Sequence, residues 1–127
     1  PHIDSCRYIK HGKKTGDDLI REYKNSHLFA ICSDSEGQPL SILEAQAACL
    51  PVVATKTGGI PEIVKDSVNG LLVAPNDYIA LATAIFWCLK NKNDFGKRGH
   101  LKVAKMNNWD DIAKKTLSVY KNVTKDV

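Results

Sequence analysis

The sequence predicts an α/β fold: a Rossmann-like parallel sheet of about four strands with flanking helices and a helical C-terminus, in a single domain over residues 1–127. Three observations predict it. Short apolar runs alternate with segments whose apolar residues recur at helical spacing. The runs lead into clusters of turn formers. Strands separated by helices lie parallel, because the helix supplies the crossover that a parallel pair requires. No internal repeat, low-complexity tract or Pro/Gly linker divides the chain.

The elements follow in order. Residues 6–9 read as a short strand. Between Asp17 and Asn25, and just beyond, Leu19, Ile20, Tyr23 and Leu28 fall at helical spacing, with Asp17 and Asp18 where a helix start favours negative charge. The run Leu28-Phe29-Ala30-Ile31-Cys32 is a strand entering the loop Ser33-Asp34-Ser35-Glu36-Gly37-Gln38-Pro39. Good helix formers fill residues 40–49, with Leu40, Leu43, Ala47 and Ala48 toward one face. Pro51-Val52-Val53-Ala54-Thr55 is the third strand, and the loop after it leads to a helical start with Pro61 at an early position. Gly70-Leu71-Leu72-Val73-Ala74 is the fourth. Asn76 and Asp77 cap a helix running to about Lys90, its face made by Ile79, Leu81, Ala82, Ile85, Phe86 and Leu89. Helical segments over about 95–106 and 109–122 close the chain.

With 127 residues, 43% hydrophobic and 25% charged, the chain has the composition of a globular domain and can bury a core without metal or disulfide staples. Its 18 Lys and Arg against 14 Asp and Glu, a net charge of +4, suit anionic ligands or surfaces. That balance falls short of the dense basic stripe of a nucleic-acid binder, so no nucleic-acid partner is expected. No window approaches the ~18 consecutive apolar residues of a membrane span, and the first residues have no apolar signal core. Cys6, Cys32, Cys49 and Cys88 form no CxxC pair and mostly lie in apolar runs, so they read as buried free thiols in a reducing cytoplasm. His2, His11, His27 and His100 are too scattered for a zinc site, and no metal is expected. The chain begins at Pro1 and not at Met, so an excerpt or processed piece is expected.

In an open α/β sheet, ligands bind beyond the carboxyl ends of the strands, where loops pass into helices. The unusual residues gather there. Gly37 lets the backbone approach a ligand, and a helix opens after Pro39 with Gln38, Leu40 and Ser41 as backbone donors, Pro39 having no N–H. Such a start suits a phosphate or diphosphate. Glu36 at the loop entry and Glu44 in the helix are acceptor-only when ionised, natural partners for a pair of sugar or ribose hydroxyls. On spacing alone, a solvated loop residue and an ordinary helix residue fit equally well. Gly58 and Gly59 either supply close-approach backbone or merely make a turn.

The run over residues 33–55, continued by Gly58-Gly59-Ile60-Pro61-Glu62-Ile63-Val64 and Asn69-Gly70-Leu71-Leu72-Val73, resembles the C-terminal, donor-binding domain of the retaining family-four glycosyltransferases of GT-B fold. The likeness extends from about Gly12 through Leu89 and includes two Glu with seven residues between them. It implies an incomplete GT-B C-terminal domain in which Glu36, the catalytic candidate, contacts hydroxyls of the transferred sugar. Gly37, Gln38, Pro39, Leu40 and Ser41 would face sugar and diphosphate, and Glu44 would hold the nucleotide ribose. Gly12 matches a glycine opening a loop near the nucleobase, and Gly58 and Gly59 match a loop near the same pocket. Two residues depart from the pattern: Gln38 stands where an aromatic or other apolar residue is usual, and Cys49 where glycine is usual. The family's upstream Arg and Lys, the first two strands of the domain and the acceptor-binding domain have no counterpart within residues 1–127.

The resemblance implies a glycosyltransferase of hexosyltransferase type. It would move a sugar from a nucleotide diphosphate sugar to an unknown sugar or lipid-linked acceptor with retention, using no metal and no other cofactor, the isolated chain being inactive. Two alternatives stay open: a non-catalytic nucleotide-binding or interaction module on the same fold, and an epimerase or phosphorylase relative. The basic residues Lys97, Arg98, Lys102, Lys105, Lys114, Lys115, Lys121 and Lys125 form either a solvated face or a contact with an anionic membrane, giving a cytoplasmic protein that is free or peripheral at the membrane. In a sheet of order 3-2-1-4-5-6 the strand at 6–9 would take position three and the next position four. It therefore pairs directly beside residues 28–32, is disordered, or pairs with another copy or with the N-terminal half.

Overall fold

The computed structural model describes residues 8–106 and 108–124, apart from the side chains of residues 92 and 93. The elements run α1 (Gly16–Asn25), β1 (Phe29–Ile31), α2 (Leu40–Ala47), β2 (Val52–Thr55), α3 (Ile60–Ile63), β3 (Leu71–Val73), α4 (Tyr78–Lys90), α5 (Lys92–Lys105) and α6 (Trp109–Val123). The strands form one parallel sheet of order β1-β2-β3, with Ile31 opposite Ala54 and Ala54 opposite Leu72. The α/β class is as the sequence implies, but the sheet has three strands among the described residues and not about four. Of the expected first strand, Cys6 and Arg7 lie outside the described residues. Tyr8 and Ile9 are 81% and 60% exposed and carry no regular structure, since neither finds a ladder to share nor a core to enter.

Every residue of β2 is buried. Successive strand side chains point to opposite faces, so Val52 and Ala54 enter one core and Val53 the other. The first core joins them to Ile42, Ala45, Leu50, Ile60, Ile63 and Val64 from α2, α3 and their flanks. The second joins Val53 and Val73 to Ala84, Cys88 and Phe95 of α4 and α5. A parallel sheet covered on both faces needs an apolar run in place of an alternating one, which is what residues 52–54 provide.

Two helices turn a different face inward than periodicity suggests. On α4 the buried residues are Ala84 and Cys88, helped by Ala80, Leu81 and Ile85, while Ile79 and Phe86 are 82% and 64% exposed. The helix is apolar almost all round, so spacing does not select a side, and the small residues win by letting the helix approach the sheet. On α2 the inward residues are Ile42, Ala45 and Gln46, while Leu40 is 67% exposed. Asp77 caps α4 as expected, its carboxylate accepting the Ala80 N–H at 2.8 Å.

Helix α5 closes over α2 through two glycines. A Cβ on Gly96 would stand 2.0 Å from the Cys49 carbonyl oxygen, and one on Gly99 would stand 3.0 Å from Gln46 Cγ. The Gln46 side chain beneath is fully buried, and neither amide atom has a hydrogen-bond partner among the described residues. Lys102, half-buried on α5, donates to the carbonyls of Glu62 and Ile63 at the end of α3, so it is withdrawn from the basic surface. Lys125 lies outside the described residues.

The cysteines differ from expectation. Cys88 is buried, and burial pushes its thiol up to about 11; Cys32 and Cys49 are exposed, and Cys6 lies outside the described residues. Cys32 sits just past β1, where the chain leaves the sheet. Cys49 follows the last turn of α2 at φ +61°. There its N–H donates to Gln46 O at 3.0 Å and the Leu50 N–H to Ala45 O at 2.9 Å, the paired bonds of a Schellman motif. That position favours glycine because a Cβ is strained in the left-handed region. Cys49→Gly is therefore expected to stabilise the protein by about 0.5–1 kcal/mol, read as a higher urea midpoint with unchanged slope; an unchanged or lower midpoint refutes the strain.

Candidate functional site

The site is built where β1 and β2 end. Thr55, the last residue of β2, donates its hydroxyl to the Ser33 carbonyl at 2.6 Å, and Thr57 adds a longer bond to the same oxygen at 3.3 Å. These bonds draw the loop after β1 across the end of β2. Ser33 in turn donates its hydroxyl to Glu36 Oε1 at 2.6 Å, so the carboxylate is held from within its own loop.

The Gly58-Gly59 pair completes the clamp. Gly59 N–H donates to the Gly37 carbonyl at 2.8 Å. A Cβ on Gly58, which lies at φ +50°, would stand 1.6 Å from Glu36 O, and one on Gly59 would stand 2.3 Å from Gly37 O. Both glycines lie in the turn that leads into α3, and the backbone they approach there is that of the Glu36 loop.

Helix α2 then opens. Pro39 is its N-cap with no side-chain cap, as also at the starts of α1, α3 and α5, and no acidic residue occupies the first turn of α2; Asp77 and Asn108 cap α4 and α6. Ile42 N–H bonds back to Pro39 O at 3.2 Å, and helix geometry aims the Leu40 and Ser41 N–H groups out of the first turn. Leu40 and Ser41 thus follow directly on the clamped Glu36-Gly37-Gln38-Pro39 segment, at the end where the helix dipole is positive.

Glu44, one turn further along α2, is exposed and faces α1. Tyr23 Oη of α1 donates to Glu44 Oε2 at 3.0 Å and lies 3.5 Å from Ser41 O. Burial, with the hydrogen bond to Glu44 second, raises the Tyr23 phenol from 10.0 to about 12, so the hydroxyl remains a donor through the neutral range. Both residues line a cavity of about 600 Å³ between α1 and α2, walled also by Leu19, Ile20, Ala48 and Cys49. Gly12 has φ +69° but stands in open space, with nothing within 4 Å of an added Cβ; Gly16, and not Gly12, reaches the cavity. Sequence reasoning missed Tyr23 as a polar residue, reading it only as part of an apolar helix face; its hydroxyl at the inward tip was the available signal. Thr55 and Thr57 were missed because their partner is a backbone carbonyl, that of Ser33, on a neighbouring loop, and Ser33 because its hydroxyl turns back on Glu36 within its own loop.

The fold is thus an α/β domain whose parallel sheet carries, at its carboxyl end, a clamped carboxylate beside an uncapped helix start. The chain matches the family of glycosyl transferases group 1 over residues 6–116 and belongs to that family. It is 38% identical over 119 residues to a D-inositol 3-phosphate glycosyltransferase of Salinispora tropica, the match taking in 92% of this chain and 24% of the relative. In structure it is similar to sucrose-phosphate synthase of Thermosynechococcus elongatus, with a TM-score of 0.76 and 31% identity over 84% of this chain and 27% of that one. It shares its fold with an Anabaena protein solved in complex with UDP-glucose, at a TM-score of 0.74 and 24% identity over 80% of this chain and 29% of that one. The fold is that of part of a GT-B glycosyltransferase domain, and the chain spans about a quarter of the length of these relatives.

The clamp makes Gly58 indispensable to the Glu36 loop. Gly58→Ala is expected to cost at least ~2 kcal/mol in chemical denaturation, from backbone overlap added to positive-φ strain. Gly37→Ala, whose Cβ meets nothing within 4 Å, is expected to cost less than ~0.5 kcal/mol. Equal effects at the two positions contradict the clamp.

Proposed function

We propose that the chain is the C-terminal, donor-binding part of a retaining family-four glycosyltransferase. It binds a nucleotide diphosphate sugar, and the whole protein passes the sugar, a hexosyl group, to a sugar or lipid-linked acceptor with retained anomeric configuration. The observation that supports this most is the joining of a held carboxylate, Glu36, to the uncapped start of α2 at the ends of β1 and β2. In transfer, the anomeric C–O bond to the diphosphate breaks with its electron pair leaving on the diphosphate, while the acceptor oxygen forms the new bond and gives up its proton to the departing diphosphate oxygen. The Leu40 and Ser41 N–H groups and the α2 dipole favour the anionic leaving group. Glu36 orients the sugar through its hydroxyls, Glu44 takes the ribose hydroxyls, and the reading needs no metal or cofactor. With the remaining diphosphate contacts and the acceptor site carried elsewhere in the whole protein, the 127 residues alone bind nucleotide weakly and do not turn over.

In the whole protein, Glu36→Gln is expected to lower kcat at least ~100-fold, as loss of a transition-state contact does. Glu44→Ala is expected to raise the donor KM roughly 10-fold. Both are measured by product formation from a nucleotide sugar panel, and full transfer by either variant rejects the corresponding role.

The reading includes a cytoplasmic setting with peripheral contact to an anionic membrane. It is supported by α6, which buries no residue and presents Trp109, Leu117 and Tyr120, at 82%, 51% and 64% exposure, on a helix that also carries Lys114 and Lys121. Co-sedimentation with phosphatidylglycerol vesicles, weakened by Lys114→Glu with Lys121→Glu, is the expected result; no sedimentation of the unaltered protein removes the membrane contact.

A further inference from the structure

We propose that Tyr23 is a positioning residue for Glu44, fixing one carboxylate oxygen so that the other is presented to the donor's ribose hydroxyls; the inference rests on the ribose role proposed for Glu44. An exposed glutamate on a helix flank samples many rotamers, and a ligand that must order it pays that entropy on binding. Here the ordering is already supplied. Tyr23 Oη donates to Oε2 at 3.0 Å, which leaves Oε1 and the remaining lone pairs free of this bond to accept from a diol.

Tyr23 is itself fixed. Its ring stands 6.0 Å from that of Phe29, tilted by 49°, and it packs against the first core beside α2. Its hydroxyl has a second, longer approach to the Ser41 carbonyl, in the first turn of α2. Since the phenol is held well above neutral pH, its hydroxyl stays a neutral donor through the neutral range. The one oxygen thus links α1, the start of α2 and Glu44, at the rim of the cavity between the two helices.

The test uses the whole protein and calorimetric titration of UDP, GDP and ADP, taking forward the tightest of the three with its 2′,3′-dideoxy counterpart. Tyr23→Phe keeps the ring on Phe29 and removes only the hydroxyl. It is expected to weaken binding of the ribonucleotide about 5- to 20-fold and binding of the dideoxynucleotide less than about twofold, because no diol is then present for Glu44 to hold. In a Glu44→Ala background, Tyr23→Phe is expected to add less than about twofold. Equal weakening of both nucleotides, or full additivity with Glu44→Ala, makes Tyr23 a purely structural residue and overturns the inference. If Glu44→Ala weakens the ribonucleotide selectively and Tyr23→Phe does not, the inference falls while the ribose role of Glu44 stands. If neither variant discriminates between the two nucleotides, the ribose role itself falls.

Discussion

The burial of β2 on both faces is the constraint on which the rest depends. Val52, Val53 and Ala54 have no exposed surface, and the strand is paired along both edges, to β1 and β3. With four residues so enclosed, the strand has no freedom to slide, and its carboxyl end becomes a fixed point. Thr55 uses that point to hold the loop from β1, and the chain beyond Thr55 uses it again to bring Gly59 under Gly37. The Glu36 loop is ordered, then, by the strand beside it more than by its own sequence.

Helix α2 is specified differently at its two ends. Its start has no side-chain cap, which leaves first-turn donors directed toward whatever occupies the crevice. Its finish is closed by the paired bonds from Cys49 and Leu50, with Leu50 turned back into the core beside Ala45. Sealed at that end by its own backbone, the helix holds its position without a side-chain cap at its start.

Much of this was legible in the residues, and the failures have physical causes. The apolar runs at 28–32, 51–55 and 70–74 each contain a strand, and the Glu36–Ser41 and Gly58–Gly59 segments do fall beside one another, because parallel topology sends successive loops to the same edge. The inward face of α4 was not legible, since a helix apolar on all sides is oriented by which residues are small enough to meet the sheet. Exposure of Cys32 and Cys49 was hidden for a related reason: apolar neighbours in sequence say little where a strand ends or a helix turns into a left-handed residue. The link between Tyr23 and Glu44 joins positions 21 apart on separate helices, and no local period encodes such a contact.

Gln46 gives α2 a last property. Its amide is enclosed under Gly99 with neither atom bonded among the described residues, a condition that costs about 1–3 kcal/mol against a matched apolar residue. On this side the two helices meet by shape, and the polar tie between them lies at the end of α2, where His100 Nδ1 is 2.9 Å from Ala47 O. The helix that carries Glu44 is thus tied on two sides, to α5 at Ala47 and to α1 through Tyr23, whose hydroxyl reaches both Glu44 and the Ser41 carbonyl of the first turn. Its two ends are therefore anchored to different helices, the first turn to α1 and the last turn to α5.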